Sequence, residues 1–145
     1  MLEAHTHPNR LGVLGWLAGG RWGLDRYLYS LHRLTGLGLL AYFLIHVIVT
    51  SSRALGPLAW QQSMERVSGP FFHFGEYLVF VAFAFHAING LRLVFAELGY
   101  GVGKPIEPVY PYKTAVDVQR PWVLISLAAI LVLVVLGTVD FYFLH

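Results

Sequence analysis

The sequence contains no cysteine, which excludes disulfides, thiol nucleophiles and thiolate-bound iron–sulfur clusters. Any redox or metal chemistry must use histidine. Charge is also scarce: Asp, Glu, Lys and Arg make up 12% of 145 residues and sum to +2. No Lys/Arg cluster alternates with aromatics, so no nucleic-acid partner is expected. There is no nucleophile–base pair in a polar setting, no phosphate-binding glycine loop between strand and helix, and no carboxylate pair placed for hydrolysis. The chain alone is therefore not expected to be a catalyst.

Apolar residues dominate: 57% are hydrophobic and 15% aromatic, with a mean hydropathy of +0.60. That is too apolar for an ordinary soluble domain. A membrane span needs about 20 mostly apolar residues, and residues 31–51, 72–96 and 122–144 come close. The expected fold is an all-α membrane protein with three transmembrane helices, a single membrane-anchor domain over residues 1–145. Residues 1–30 read as an N-terminal interfacial segment, with Trp16, Trp22, Tyr27 and Tyr29 at headgroup level. Its stretch LGVLGWLAGG is short, broken by glycine and followed by Arg21 and Arg26, which argues against a signal peptide. Gly56–Pro57 and Gly69–Pro70 bound one connection, and residues 99–121 read as a loop packed on a partner.

Basic residues set the orientation. Arg10, Arg21, Arg26 and Arg33 precede or enter the first span, and Arg92, Lys104, Lys113 and Arg120 surround the link between spans two and three, whereas only Arg53 and Arg66 flank the other loop. The positive-inside rule makes the N-terminus cytoplasmic and the C-terminus external. Three helices leave much of a bundle unbuilt, so their polar residues are expected to meet another subunit in a heteromeric helical bundle.

Ionisable groups inside a membrane cost roughly 2.5–3.5 kcal/mol when charged, so each is a functional candidate. Neutral histidine is cheaper and suits axial ligation of haem iron; an interhelical hydrogen bond is the competing role. In span one, His32, Gly36, Leu39, Phe43 and His46 recur at 4-3-4-3 spacing on one face. In span two, His86 is followed by Asn89 one turn on and Gly90 at i+4, leaving space for a flat macrocycle or a close helix. Arg92 can extend toward the inner interface to meet a carboxylate. Glu97 is eleven residues from His86, about 16 Å along the helix, at a level where Arg33 is also expected.

LHRLTG at 31–36 and HAINGLR at 86–92, together and in this order, resemble the cytochrome b membrane-anchor subunit of succinate dehydrogenase, over roughly residues 28–98. The resemblance implies a subunit of respiratory complex II in the cell inner (cytoplasmic) membrane. Its partners would be a flavoprotein subunit, an iron–sulfur subunit, a second membrane-anchor subunit and the lipid bilayer. It implies haem b, with His86 as axial ligand and the second ligand from the partner anchor, and a quinone, menaquinone or ubiquinone, as substrate. Arg33 would lie at the quinone pocket and near the haem propionates, with His32 beside it, Arg92 and Glu97 completing the propionate and proton-relay set. The family's Ser-x-x-His-Arg pattern is shifted: Tyr29 stands three before His32 and Ser30 only two before. Ser30 and Tyr29 therefore share the quinone-binding candidacy. The same subunit would serve a fumarate reductase running the reaction backwards, and a non-redox packing subunit of a membrane complex is the remaining alternative.

His46 departs from single-haem relatives. It lies thirteen residues above Arg33, about 20 Å, so depth alone leaves open a second haem or a hydrogen bond within the bundle. His73 and Glu76, one turn apart, read as a solvated or interfacial pair.

Overall fold

In the computed structural model of the chain, residues 24–102 and 115–144 are described. Helix α1 spans Leu24–Ser51, α2 Pro57–Arg66, α3 Pro70–Glu97 and α4 Ala115–Val139. A 3₁₀ turn at Ser52–Leu55 follows α1, and a π-helical turn at Asp140–Leu144 ends α4. Among the described residues there is no strand.

Among the described residues three segments are long and apolar enough to cross a membrane: Tyr27–Leu55, Pro70–Glu97 and Gln119–Leu144. At 1.5 Å per residue, a 28-residue helix such as α1 or α3 reaches about 42 Å. That exceeds the roughly 30 Å of a hydrocarbon core, so each tilts or projects into the headgroup layer. Hydroxyl groups within the spans turn back on their own helix: Thr50 Oγ1 donates to the His46 carbonyl at 2.7 Å, Ser52 Oγ to Val49 at 2.7 Å and Ser126 Oγ to Trp122 at 2.8 Å. Such bonds satisfy polar groups where lipid offers none.

Helix α3 is central, packed against α1 on one flank and α4 on another. The three helices meet at Leu28, Phe85 and Val123, with Leu127 and Ile130 against them. Toward the C-terminal end of α4 the α3–α4 seam is closer still. A Cβ on Gly137 would collide with the Phe80 ring; Tyr77 and Thr138 share a hydroxyl hydrogen bond of 2.8 Å. Elsewhere large apolar side chains such as Leu37, Ile48, Ile125 and Leu131 are more than half exposed. Apolar surface on this scale calls for lipid or neighbouring helices as its solvent.

Helix boundaries differ from expectation in three places. Helix α1 already runs from Leu24, so the last part of the supposed interfacial segment is continuous with the span; Trp16 and Trp22 lie outside the described residues. The first connection contains a helix, α2, in which Pro57 occupies the first turn after Gly56 at φ 107°. Proline at that position sacrifices no intrahelical bond. Helix α4 starts at Ala115, within the expected loop, and carries Pro121 inside it; residues 103–114 of that loop lie outside the described residues.

Candidate functional site

The two motifs singled out in the sequence meet face to face. The imidazoles of His32 on α1 and His86 on α3 stack with centroids 4.0 Å apart and planes 5° from parallel. Each ring rests on a glycine of the opposite helix. A Cβ added to Gly36 would lie 2.9 Å from His86 Cε1, and one added to Gly90 would lie 3.4 Å from His32 Cε1. Because Gly36 is one turn beyond His32, and Gly90 one turn beyond His86, each helix contributes a ring and a matching space at i+4. The glycines serve close helix approach here.

Hydrogen bonds fix the orientation of His86. Its Nδ1 lies 3.1 Å from the His32 carbonyl oxygen and 3.3 Å from Thr35 Oγ1. A carbonyl only accepts, so Nδ1 carries a proton, and in the neutral ring Nε2 then holds the lone pair. The Thr35 hydroxyl proton is taken by the Leu31 carbonyl at 2.8 Å, with the His32 carbonyl at 3.0 Å, which leaves its oxygen to accept from Nδ1–H. A metal-binding histidine is commonly held in this way, with Nδ1–H on a carbonyl and Nε2 available. The residues present thus fit single axial ligation of haem iron by His86. Among the described residues no three His, Asp or Glu side chains cluster to chelate an ion.

Around the pair, polar groups are buried without partners. Among the described residues Ser30 Oγ, His32 Nδ1 and Asn89 Nδ2 have no hydrogen bond, and Asn89 is only 2% exposed. Buried polar atoms of this kind call for a partner beyond the described residues, because leaving them bare is costly. Arg92 does not extend as expected: its Nε and Nη2 donate to Asn89 Oδ1 at 3.2 and 3.1 Å, folding back one turn. It also lines a cavity of about 650 Å³ between the C-terminal half of α3 and the start of α4, with Phe95, Tyr100, Trp122 and Ile125 among the walls. Arg33 is exposed, its guanidinium 4.4 Å over the Tyr29 ring, so the i,i+4 pair shares a face.

The ring stack revises the expected depths. His32 is level with His86, not with Glu97. In antiparallel helices Glu97, eleven residues beyond His86, therefore lies about 16 Å from the His32 level toward the start of α1. No ion pair joins Glu97 to Arg33 or Arg92 among the described residues. His46, fourteen residues along α1 from His32, lies about 21 Å to the other side of the stack. Its ring is exposed, tilted against Tyr42 at 5.6 Å, and makes no side-chain hydrogen bond among the described residues. His46 and His86 therefore occupy different levels, and one iron cannot take both. His73 meets Glu76 at 3.9 Å and donates through Nε2 to the Phe141 carbonyl at 3.3 Å, a tie to α4's end that spacing alone did not reveal. Thr35 was missed too, although it lies within LHRLTG, one turn after Leu31.

Comparison with known proteins agrees with this architecture. The profile of the succinate dehydrogenase/fumarate reductase transmembrane subunit family matches residues 17–137. The chain is also similar to the succinate dehydrogenase hydrophobic membrane anchor subunit of Archaeoglobus fulgidus, 30% identical over 104 residues that cover 72% of this chain and 78% of the relative. No solved structure matches the chain.

Proposed function

The chain belongs to the succinate dehydrogenase/fumarate reductase transmembrane subunit family, and from that premise we propose that it is a haem-binding anchor of a succinate:quinone oxidoreductase. The observation that carries this reading is the contact of His86 Nδ1 with the His32 carbonyl and Thr35, which in the neutral ring leaves Nε2 as an iron ligand. Haem b, when bound, supplies reversible one-electron storage within the membrane. The chain's own residues orient the ligand, exclude lipid from its edge and offer buried polar atoms to the groups that dock there.

In this reading the N-terminus is cytoplasmic and the catalytic flavoprotein and iron–sulfur subunits sit on that side, with the second anchor subunit against the exposed helix faces. Arg33 and Tyr29, with the unpartnered Ser30 hydroxyl, line the quinone end. The cationic guanidinium favours anionic quinone forms there. His32 and Asn89 present unsatisfied nitrogens toward propionate or quinone oxygens, with Arg92 bracing Asn89. Glu97, nearer the surface, is placed to exchange protons with water. Direction of turnover belongs to the quinone potential and the catalytic subunits, so the same anchor serves fumarate reduction equally well.

A reduced-minus-oxidised visible spectrum of the purified native complex, with haem b measured against covalent flavin, tests the proposal. One haem per flavin is expected if His86 is the sole ligand from this chain, and two would make the exposed His46 the ligand of another. A colourless complex would sink the haem reading. Arg33→Ala should depress succinate-to-quinone transfer while sparing succinate oxidation by a soluble dye; equal loss of both would remove Arg33 from the quinone site.

The nesting of the two imidazoles on Gly36 and Gly90 also favours a second reading, a non-redox packing subunit in which the rings only lock helices. That reading requires the colourless outcome.

A further inference from the structure

We infer that Thr35 is a positioning residue for the haem ligand: with the His32 carbonyl it holds the Nδ1–H tautomer of His86, and it sets how strongly Nε2 donates to iron. The inference rests on the haem-binding reading above. Its basis is the direction of each bond. The Thr35 hydroxyl donates to the Leu31 carbonyl at 2.8 Å, so its oxygen turns a lone pair toward His86 Nδ1 at 3.3 Å. The His32 carbonyl, at 3.1 Å, is the other acceptor. Two acceptors on one N–H pull electron density into the ring and make its far nitrogen a better donor. A more basic ligand favours ferric over ferrous iron.

Both acceptors come from α1 while the ligand belongs to α3, so the electronic setting of the ligand depends on the helix pair rather than on its own helix. Thr35 is half-buried in that seam. Its methyl group supplies packing and its hydroxyl supplies the bond, and substitution separates the two. Thr35→Val keeps the shape and removes the acceptor, whereas Thr35→Ser keeps the acceptor and removes the methyl.

The experiment is a redox titration of haem b in the intact complex carrying each variant, together with the magnetic resonance spectrum of the ferric state. Outer-shell partners of metal-bound histidine are typically worth 10–100-fold in affinity. With one of two acceptors lost, the low end is expected for Thr35→Val: a hold on ferric relative to ferrous haem about tenfold weaker, which raises the midpoint by about 59 mV for one electron. Thr35→Ser should titrate like the parent. Loss of haem from Thr35→Val with retention in Thr35→Ser also supports the inference. A Thr35→Val complex that holds haem at the parent potential overturns it, as does a Thr35→Ser shift equal to that of Thr35→Val, since both would mark the residue as packing only. A parent complex without haem overturns it together with the reading on which it rests, so the two failures are distinguishable.

Discussion

Gly36→Ala tests the nested imidazole pair most directly. The new Cβ would lie 2.9 Å from His86 Cε1, 3.4 Å from Nδ1 and 3.8 Å from Nε2, against the ring edge that carries both nitrogens. Carbon atoms pack comfortably at about 3.5 Å or more, so the ring must retreat by roughly 0.6 Å. Retreat from α1 stretches Nδ1 toward about 3.7 Å from the His32 carbonyl and about 3.9 Å from Thr35, beyond useful hydrogen-bond length. Two weakened bonds at about 0.5–1.5 kcal/mol each, or an equivalent overpacking cost of about 1–3 kcal/mol, put the loss at about 1–3 kcal/mol. At 1.4 kcal/mol per decade, that corresponds to about 5–140-fold weaker retention of a group bound through His86. The assay is haem b per covalent flavin in the purified complex, with thermal stability measured in parallel. Gly38→Ala, where a Cβ meets nothing within 4 Å, is the control and should behave as the parent. Gly90→Ala, at 3.4 Å from His32, should fall between them. Parent-like haem content and stability in Gly36→Ala would refute the reasoning, because it would mean the ring contact is not tight in the assembled protein.

Other substitutions probe the surrounding structure. Arg92→Met removes both donors from the buried Asn89 Oδ1 and should destabilise the complex by about 1–3 kcal/mol, read as a lowered Tm; adding Asn89→Leu should recover part of the loss, a coupling that a double-mutant cycle measures. Gly137→Ala drives a methyl into the Phe80 ring and should cost about 2–3 kcal/mol in thermal stability. Tyr77→Phe, which breaks the bond to Thr138, should cost only about 0.6 kcal/mol, the usual scale for such bonds in membranes. His46→Leu should leave thermal stability unchanged, since the exposed ring makes no side-chain hydrogen bond among the described residues; a drop in haem per flavin on that substitution would identify it as the second ligand.

The spans were legible because lipid imposes a simple rule: long apolar runs without charge become helices. The motif residues were legible for a related reason, since histidine and arginine are rare at such depth. Register was not. Counting from the expected inner surface placed Arg33 beside Glu97, whereas the ring stack puts His32 beside His86, and nothing in either helix alone states which turn of one faces which turn of the other. The spacings His32–Gly36 and His86–Gly90 held that information, but each reads equally well as room for a macrocycle. Helix α2 was hidden by its punctuation, because Gly56–Pro57 marks a turn and a helix start alike. Asn89 was visible as polar, yet its role as Arg92's acceptor depends on a side chain that bends back where extension was expected.

The segment joining α1 to α3 gives the ring contact a wider meaning. Helix α2 packs mainly against the turn before it, with Arg53 lying 5.6 Å over Trp60. Its packing is thus mainly with that turn and not with the two spans it joins. Alignment is imposed by the contact of two rings seated on two glycines. Residues inserted between Gly56 and Gly69 should leave that alignment intact, which makes the connection a place where a tag or a foreign loop can be carried without retuning the interior.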